Sequence, residues 1–321
     1  MSPDIICIGE PMAELNQRED GGAYWPGHGG DASNAAIAAA RQGASVGMLT
    51  ALGNDAFGRS FLELWRAERV DASAVKQDPS APTGLYFVTH GPAGHQFSYL
   101  RAGSAASLYA PADLPLDYVR GARVLHASGI SLAISGPAAD AVFLAMHTIR
   151  AAGGLVSFDT NLRLGLWPID RARAMIHAAA RTADILKTSI EDAAALTGLT
   201  DPARIADAYL TLGAGIAIVT LGPAGALVAT RTHSRQIDPI RVGSVDATGA
   251  GDTFDGAFLA DYLRHGDAFA AARYANAAAG LATEGYGAVA PMPRRAAVEA
   301  ALSPRSAAPT PGHRHDGGET A

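Results

Sequence analysis

The chain has 321 residues, 48% hydrophobic and 17% charged, which supplies a large core and excludes wholesale disorder, coiled coil and collagen. Its 25 Lys and Arg against 31 Asp and Glu leave a net charge of −6; the basic residues are scattered, so no nucleic-acid partner is expected. The one cysteine, Cys7, cannot form an intrachain disulfide and reads as a small core residue of a reducing compartment.

Residues Ile5–Ile8 form an apolar run stopped by Gly9, the pattern of a strand buried on both faces. The first ten residues lack a secretory leader pattern and no apolar run reaches the length of a membrane span, so no membrane partner and a cytoplasmic location are expected. An Ala-rich helix over 33–41 ends at Gly43, a second strand spans 46–52, and an amphipathic helix follows over 57–69. Between 83 and 100 the alternation stops. Two strand-like runs, 84–90 and 95–100, flank Gly91-Pro92-Ala93-Gly94 and predict a hairpin off the main sheet. Beyond it, strands Val124–Ser128, Leu155–Asp159 and 185–187 alternate with helices over 136–152 and 169–182. Such alternation requires right-handed crossovers and a parallel sheet covered on both faces. Strands over 216–221 and Ala226–Thr230, split by Gly222, Pro223 and Gly225, precede helices over 250–264 and 268–283, and predict an antiparallel edge. The stretch 303–321, with Pro304, Pro309 and Pro311 and almost no large apolar side chain, reads as a disordered tail in which His313 and His315 are incidental.

Common phosphate, dinucleotide and hydrolase motifs are missing. Only two lysines occur, Lys76 and Lys187, neither in a P-loop; G-x-G-x-x-G, G-x-S-x-G and H-E-x-x-H are absent. The informative segment is Asp246-Ala247-Thr248-Gly249-Ala250-Gly251-Asp252-Thr253-Phe254. Small residues at Gly249, Ala250 and Gly251 leave backbone N–H groups bare at a helix start, where unpaired donors and the helix dipole favour an anion such as a transferring phosphoryl group. Asp252 beside them is placed to accept a proton from a substrate hydroxyl. Taken alone, the same residues also suit a glycine turn with Asp252 as a helix-start acid.

Two signatures decide between these readings. The segment from Asp246 to Gly256 resembles the C-terminal signature of the ribokinase-like (PfkB) carbohydrate kinases. Gly29-Gly30-Asp31-Ala32-Ser33-Asn34-Ala35-Ala36, followed by Ala51-Leu52-Gly53-Asn54-Asp55-Ala56-Phe57-Gly58, resembles the N-terminal one. The resemblance runs from Ile5 to about Pro293. Within the family it is nearest the 2-keto-3-deoxygluconate kinases, through Gly9-Glu10-Pro11-Met12, the segment Phe97 to Arg101, the segment Ser128 to Ile134 and the segment Phe158 to Trp167.

The resemblance implies one α/β domain over 1–302, a three-layer α/β/α body with a mainly parallel sheet and a small β-sheet lid from about 10–32 and 83–102. It implies ATP and Mg²⁺ as cofactors, a homo-oligomer formed through the lid, Asp252 as base, and the Gly249, Ala250, Gly251 and Asp252 amides as anion hole. Gly30, Tyr99, Arg101, Asn161 and Arg163 are expected to line a sugar-acid site, since guanidinium forks suit a carboxylate. Arg101 read alone is a solvated hairpin arginine, Arg163 a helix-start salt bridge, and Tyr99 hairpin packing. On the nucleotide side the resemblance places Ser189, Leu221, Gly222, Gly225 and Asn276, with Gly249 and Gly251. Many relatives have Asn-x-x-Glu where this chain has Ser189-Ile190-Glu191-Asp192. No resident protein-bound metal is expected; Mg²⁺ travels with ATP, and Asp159 either helps to hold it or acts as a structural cap. A neutral-sugar kinase and a non-catalytic sensor are the rival functions, and the intact Asp252 argues against the second.

Overall fold

The computed structural model describes residues 2–17, 21–91 and 94–303. The expected tail therefore lies outside the described residues, apart from Ser303, as do Pro92 and Ala93 of the hairpin turn.

The chain opens with β1 (Ile5–Ile8), buried throughout, and leaves the body for β2 (Met12–Gln17) and β3 (Tyr24–Gly29). Gly30 carries φ 103°, a conformation that costs glycine little, and turns the chain into α1 (Asp31–Arg41). The single strand expected over 46–52 is two, β4 (Val46–Leu49) and β5 (Ala51–Gly53), because the chain changes partner at Thr50. Helix α2 (Ala56–Glu68) is capped by the Asp55 carboxylate, which accepts from the Gly58 amide at 2.8 Å. Strands β6 (Val70–Asp71) and β7 (Lys76–Asp78) follow, and β7 is the parallel partner of β5. Then β8 (Leu85–Gly91) and β9 (Gly94–Leu100) make the expected hairpin.

After α3 (Leu116–Arg120) the body resumes with β10 (Val124–Ser128), α4 (Gly129–Ala133), α5 (Gly136–Ala151), β11 (Leu155–Asp159), α6 (Ile169–Ala180) and β12 (Ile185–Ser189). Two helices that periodicity did not resolve, α7 (Ile190–Thr197) and α8 (Pro202–Leu212), complete the crossover to β13 (Ile216–Thr220). The chain ends through β14 (Ala226–Thr230), β15 (Ser234–Ile237), α9 (Ala250–His265), α10 (Ala268–Ala282) and α11 (Arg295–Leu302).

The main sheet has the order β15-β14-β13-β12-β11-β10-β1-β4-β6, parallel from β13 to β6, with β14 and β15 as the expected antiparallel edge. Side chains alternate across it: Ile6 and Ile8 join a core under α5, α6 and α8, whereas Ile5 and Cys7 join one under α1, α9 and α10. The lid is a separate sheet, β3-β2-β8-β9, in which β8 runs parallel to β2. On the body, α1 and α9 pack closely because Gly256 faces α1 without a side chain; a Cβ there would lie 2.3 Å from the Ala35 carbonyl oxygen. Among the described residues no helix is long and apolar enough to cross a membrane.

Candidate active site

Four parallel strands end along one edge of the sheet, where open α/β sheets bind ligands: β1 runs into Gly9 and Glu10, β10 ends at Ser128, β11 at Asp159 and β12 at Ser189. Helix α9 starts above this edge. Its N-cap Gly249 sits at φ 75°, and a Cβ there would lie 2.9 Å from the Ala288 Cα. The preceding turn is folded by Asp246, whose Oδ1 accepts from the Thr248 amide at 2.9 Å and whose Oδ2 accepts from the Gly287 amide at 2.9 Å. The amide of Ala250 differs from the expectation: it donates to the Ala247 carbonyl at 3.1 Å, closing the turn. Those of Gly249, Gly251 and Asp252 have no acceptor among the described residues, which leaves three converging donors at the positive end of a sixteen-residue helix.

Asp252 lies in the first turn of α9, half-buried, and its Oδ2 accepts from Asn34 Nδ2 of α1 at 2.8 Å. Burial first, and then the charge of Asp31, push its carboxyl up to about 7. Beneath it Lys187, 6% exposed, points from β12 into a cluster of carboxylates. Its Nζ lies 2.9 Å from Asp159 Oδ2 and 3.0 Å from Asp255 Oδ2, and donates to the Gly251 carbonyl at 3.1 Å. Burial alone would discharge an ammonium, but these two carboxylates outweigh it and keep Lys187 charged.

Gly30, Asn161 and Asp252 are brought together through α1. Asn161, at the unusual φ of 31°, donates from Nδ2 to Asp31 Oδ2 at 3.0 Å, and the Ser128 hydroxyl donates to the same oxygen. Asp31 Oδ1 and, one turn along, Asn34 Oδ1 are buried without a hydrogen-bond partner among the described residues. Two such acceptors beside Asp252 suit the hydroxyls of a ligand. Gly30 fits beneath them, since a Cβ there would lie 2.4 Å from the Glu10 carbonyl oxygen.

The two arginines are not assembled as a pair of free forks. Arg101, at the end of β9, has Nη2 2.6 Å from Glu10 Oε2; Glu10 is 1% exposed and its Oε1 accepts from the Ser104 hydroxyl at 2.8 Å. A buried carboxylate needs such a partner, so part of the Arg101 fork is committed within the protein. Arg163 is exposed on the segment after β11, and its Nη1 donates to the Leu162 carbonyl at 2.9 Å. Tyr99, 44% exposed, stands across from Tyr86 on the lid, ring centroids 6.0 Å apart.

Of the expected nucleotide-side residues, Gly249 and Gly251 stand at the start of α9 beside Asp252, and the others lie on further elements. The turn between β13 and β14 is closed by the Leu221 amide donating to the Gly225 carbonyl at 2.8 Å, with Gly222 at φ 55° and Gly225 at φ 90°. A Cβ on Gly225 would lie 2.0 Å from the Ile237 carbonyl oxygen, so only glycine closes the turn. Ser189 caps α7, accepting from the Asp192 amide at 3.0 Å, while Asn276 donates to the Asp238 carbonyl at 2.9 Å, tying α10 to the segment after β15. Asp159 is given to Lys187. Asp192 Oδ2 accepts from the Leu162 amide at 2.9 Å and the Thr160 hydroxyl at 3.2 Å. These carboxylates are thus engaged within the protein, and the described residues contain no group of three potential metal ligands.

The pfkB family carbohydrate kinase model matches residues 2–295. The chain belongs to this family of sugar kinases. It is 36% identical over 304 residues to a 2-dehydro-3-deoxygluconokinase of Thermoproteus tenax, covering 91% of this chain and 92% of that one. It is 32% identical over 321 residues to a probable chloroplastic fructokinase-6 of Arabidopsis thaliana, covering 94% and 83%. Among solved structures, a putative ribokinase II from E. coli in complex with ATP and Mg²⁺ superposes with a TM-score of 0.87 at 27% identity, covering 94% of this chain and 99% of that one. The fold is ribokinase-like, as expected.

Sequence reasoning assigned no role to Asp31, Asn34, Glu10, Asp255 or Lys187. Asp31 and Asn34 stand inside the N-terminal signature, and Lys187 carried the one available clue: one of only two lysines, it interrupts the apolar strand that begins Ile185-Leu186.

Proposed function

We propose that this kinase transfers the γ-phosphoryl group of ATP to the 6-hydroxyl of 2-keto-3-deoxy-D-gluconate, giving 2-keto-3-deoxy-6-phosphogluconate and ADP. The observation that carries the reaction is the Asp252 carboxylate, held by Asn34 beside three amides with no acceptor among the described residues at the start of α9. With the substrate hydroxyl against Asp252, its oxygen forms the new bond to phosphorus as the bridging bond to ADP breaks, and its proton passes to the carboxylate. The amides of Gly249, Gly251 and Asp252 take the charge on the transferring group. Mg²⁺, bound with the nucleotide, neutralises phosphate charge. The Leu221 to Gly225 turn, Ser189 and Asn276 face the nucleotide in this reading, while Gly30, Tyr99, Asn161 and Arg163 face the sugar acid, with Asp31 and Asn34 accepting from its hydroxyls.

The substrate rests on the 36% identity to 2-dehydro-3-deoxygluconokinase and on Arg163 as an exposed guanidinium on the segment after β11. A second reading, a neutral sugar such as fructose, is favoured by the neutralisation of Arg101 by Glu10 and by the fructokinase relatives. The homo-oligomer is proposed to form through the lid, where Trp25, Phe97, Tyr99 and Leu100 are exposed. The cytoplasm, which supplies ATP, is the proposed setting. A coupled ADP-release assay across 2-keto-3-deoxygluconate, fructose and ribose tests the assignment: kcat/KM should be highest for the sugar acid, and a comparable value for fructose would move it to the neutral sugar.

A further inference from the structure

Beneath the base is a buried cation that the transfer chemistry has not used. Lys187 makes three contacts on two elements: Asp159 at the end of β11, Asp255 in the second turn of α9, and the carbonyl of Gly251 in the first turn of the same helix. The last contact bears on the anion hole directly. The Gly251 carbonyl held by Nζ belongs to the same peptide plane as the Asp252 amide, one of the unpartnered donors, and follows the Gly251 amide, another. There is little slack, because a Cβ on Gly251 would lie 3.3 Å from that Nζ.

We propose that Lys187 is a positioning residue for phosphoryl transfer, clamping the first turn of α9 through the Gly251 carbonyl and supplying the cationic counterweight that keeps Asp252 usable as a base. The inference rests on Asp252 being that base. Asp31 from α1, Asp159 from β11, Asp255 on its own helix and Tyr86 from the lid also act on or feel Asp252, and all four are acids. Lys187 is the opposing charge, and among the causes acting on Asp252 it lowers the carboxyl where Asp31 and Asp159 raise it. A surface lysine could not do this, since water would screen it; Lys187 works because it is buried and held by two carboxylates.

The test is a pH profile of kcat/KM with saturating ATP for Lys187→Met, Lys187→Arg and the charge-balanced double variant Lys187→Met with Asp255→Asn. In Lys187→Met the acid limb should move to higher pH by about one unit, and kcat should fall by about 10²-fold as the clamped turn loosens, with KM for ATP changing less. Lys187→Arg should return the limb to its original pH, because the charge is kept, while recovering only part of kcat. The double variant removes a cation together with an anion. It should leave the limb near the wild-type position with kcat still depressed, and it gives a folded protein to measure if the single methionine variant does not fold. An acid limb that stays in place in folded Lys187→Met, or wild-type kcat in the double variant, overturns the inference. Failure of the kinase reading looks different: the wild-type protein then releases no ADP with any sugar, or Asp252→Asn retains its turnover.

Discussion

The two walls of the cleft are built on opposite principles. The body wall, where α1 and α9 meet the strand ends, is made of buried charge: Lys187, Asp159 and Asp255 are each 5 to 6% exposed, and hydrogen bonds fix Asp31 and Asp252 from neighbouring elements. The lid wall is a thin four-stranded sheet whose β9 side chains Phe97, Tyr99 and Leu100 are 44 to 62% exposed. One buried ion pair, Glu10 with Arg101, fastens the end of β9 to the end of β1. The contrast teaches a division of labour. In the proposed reaction the chemistry that depends on a defined charge sits among these fixed, buried groups, where reorganisation is small, while the exposed lid faces the sugar.

If the body wall carries the chemistry, its base should be the most sensitive point. Asp252→Asn keeps the shape, and an amide carbonyl can still accept from Asn34, but the proton acceptor is gone. Turnover should fall roughly 10²- to 10⁴-fold, with ATP binding retained by calorimetric titration. Undiminished turnover at matched folding removes Asp252 from the mechanism.

The proposed sugar-binding residues should respond in KM instead. Arg163→Ala is expected to raise KM for 2-keto-3-deoxygluconate roughly 10- to 100-fold, the equivalent of a charged hydrogen bond of about 1.5 to 3 kcal/mol, with KM for ATP little changed. Arg163→Lys should recover only part, because a point charge cannot reproduce a bidentate fork. An equal loss with fructose would show that Arg163 serves the fold of its segment and not a carboxylate.

The fastening between the walls gives a third handle. Glu10→Gln keeps a hydrogen-bond acceptor but leaves the Arg101 charge without its buried partner. Breaking such a pair costs on the order of 3 kcal/mol, so a lowered denaturation midpoint is expected, together with a higher KM for sugar as the end of β9 loses its anchor. An unchanged midpoint would mean that the pair is solvated in solution and that the lid is not fastened there.

The comparison also explains what could be read from the residues alone. Ile5–Ile8, Val124–Ser128, Leu155–Asp159 and Ala226–Thr230 have the expected bounds because a strand in the middle of a covered sheet must be apolar on both faces, and that pattern is local. Strand β15 escaped because its Ser234, Arg235 and Gln236 are exposed at the sheet edge and only Ile237 is buried. The anion-hole turn was visible through its glycines. Its supports were not, because a Lys187–Asp159–Asp255 cluster joins positions 28 and 68 residues from the lysine, and no periodicity records such a pairing. Arg101 was placed correctly on the hairpin. Its partner, Glu10, lies 91 residues earlier and becomes visible only when β9 is brought to the end of β1.

The smallest expected effect sharpens the contrast by measuring what the body wall costs the fold. Asp252 ionises near 3.8 in an unfolded chain, and burial with Asp31 nearby raises it to about 7 in the folded one. Between those values the folded protein holds a proton that the unfolded chain has released, so this group's contribution to stability is fully present below about pH 4 and is lost as pH rises through 7. Asp252→Asn has no proton to lose. The melting temperatures of the two proteins should therefore coincide near pH 4, draw apart as pH rises toward 7 and stay apart above it, with the variant the higher. The difference curve opens above about pH 4 and levels off near pH 7, and that upper break reports the folded-state titration of the Asp252 site without any activity measurement. A pH-independent difference would place the carboxylate in a solvated environment and remove the physical reason for a base poised near neutrality.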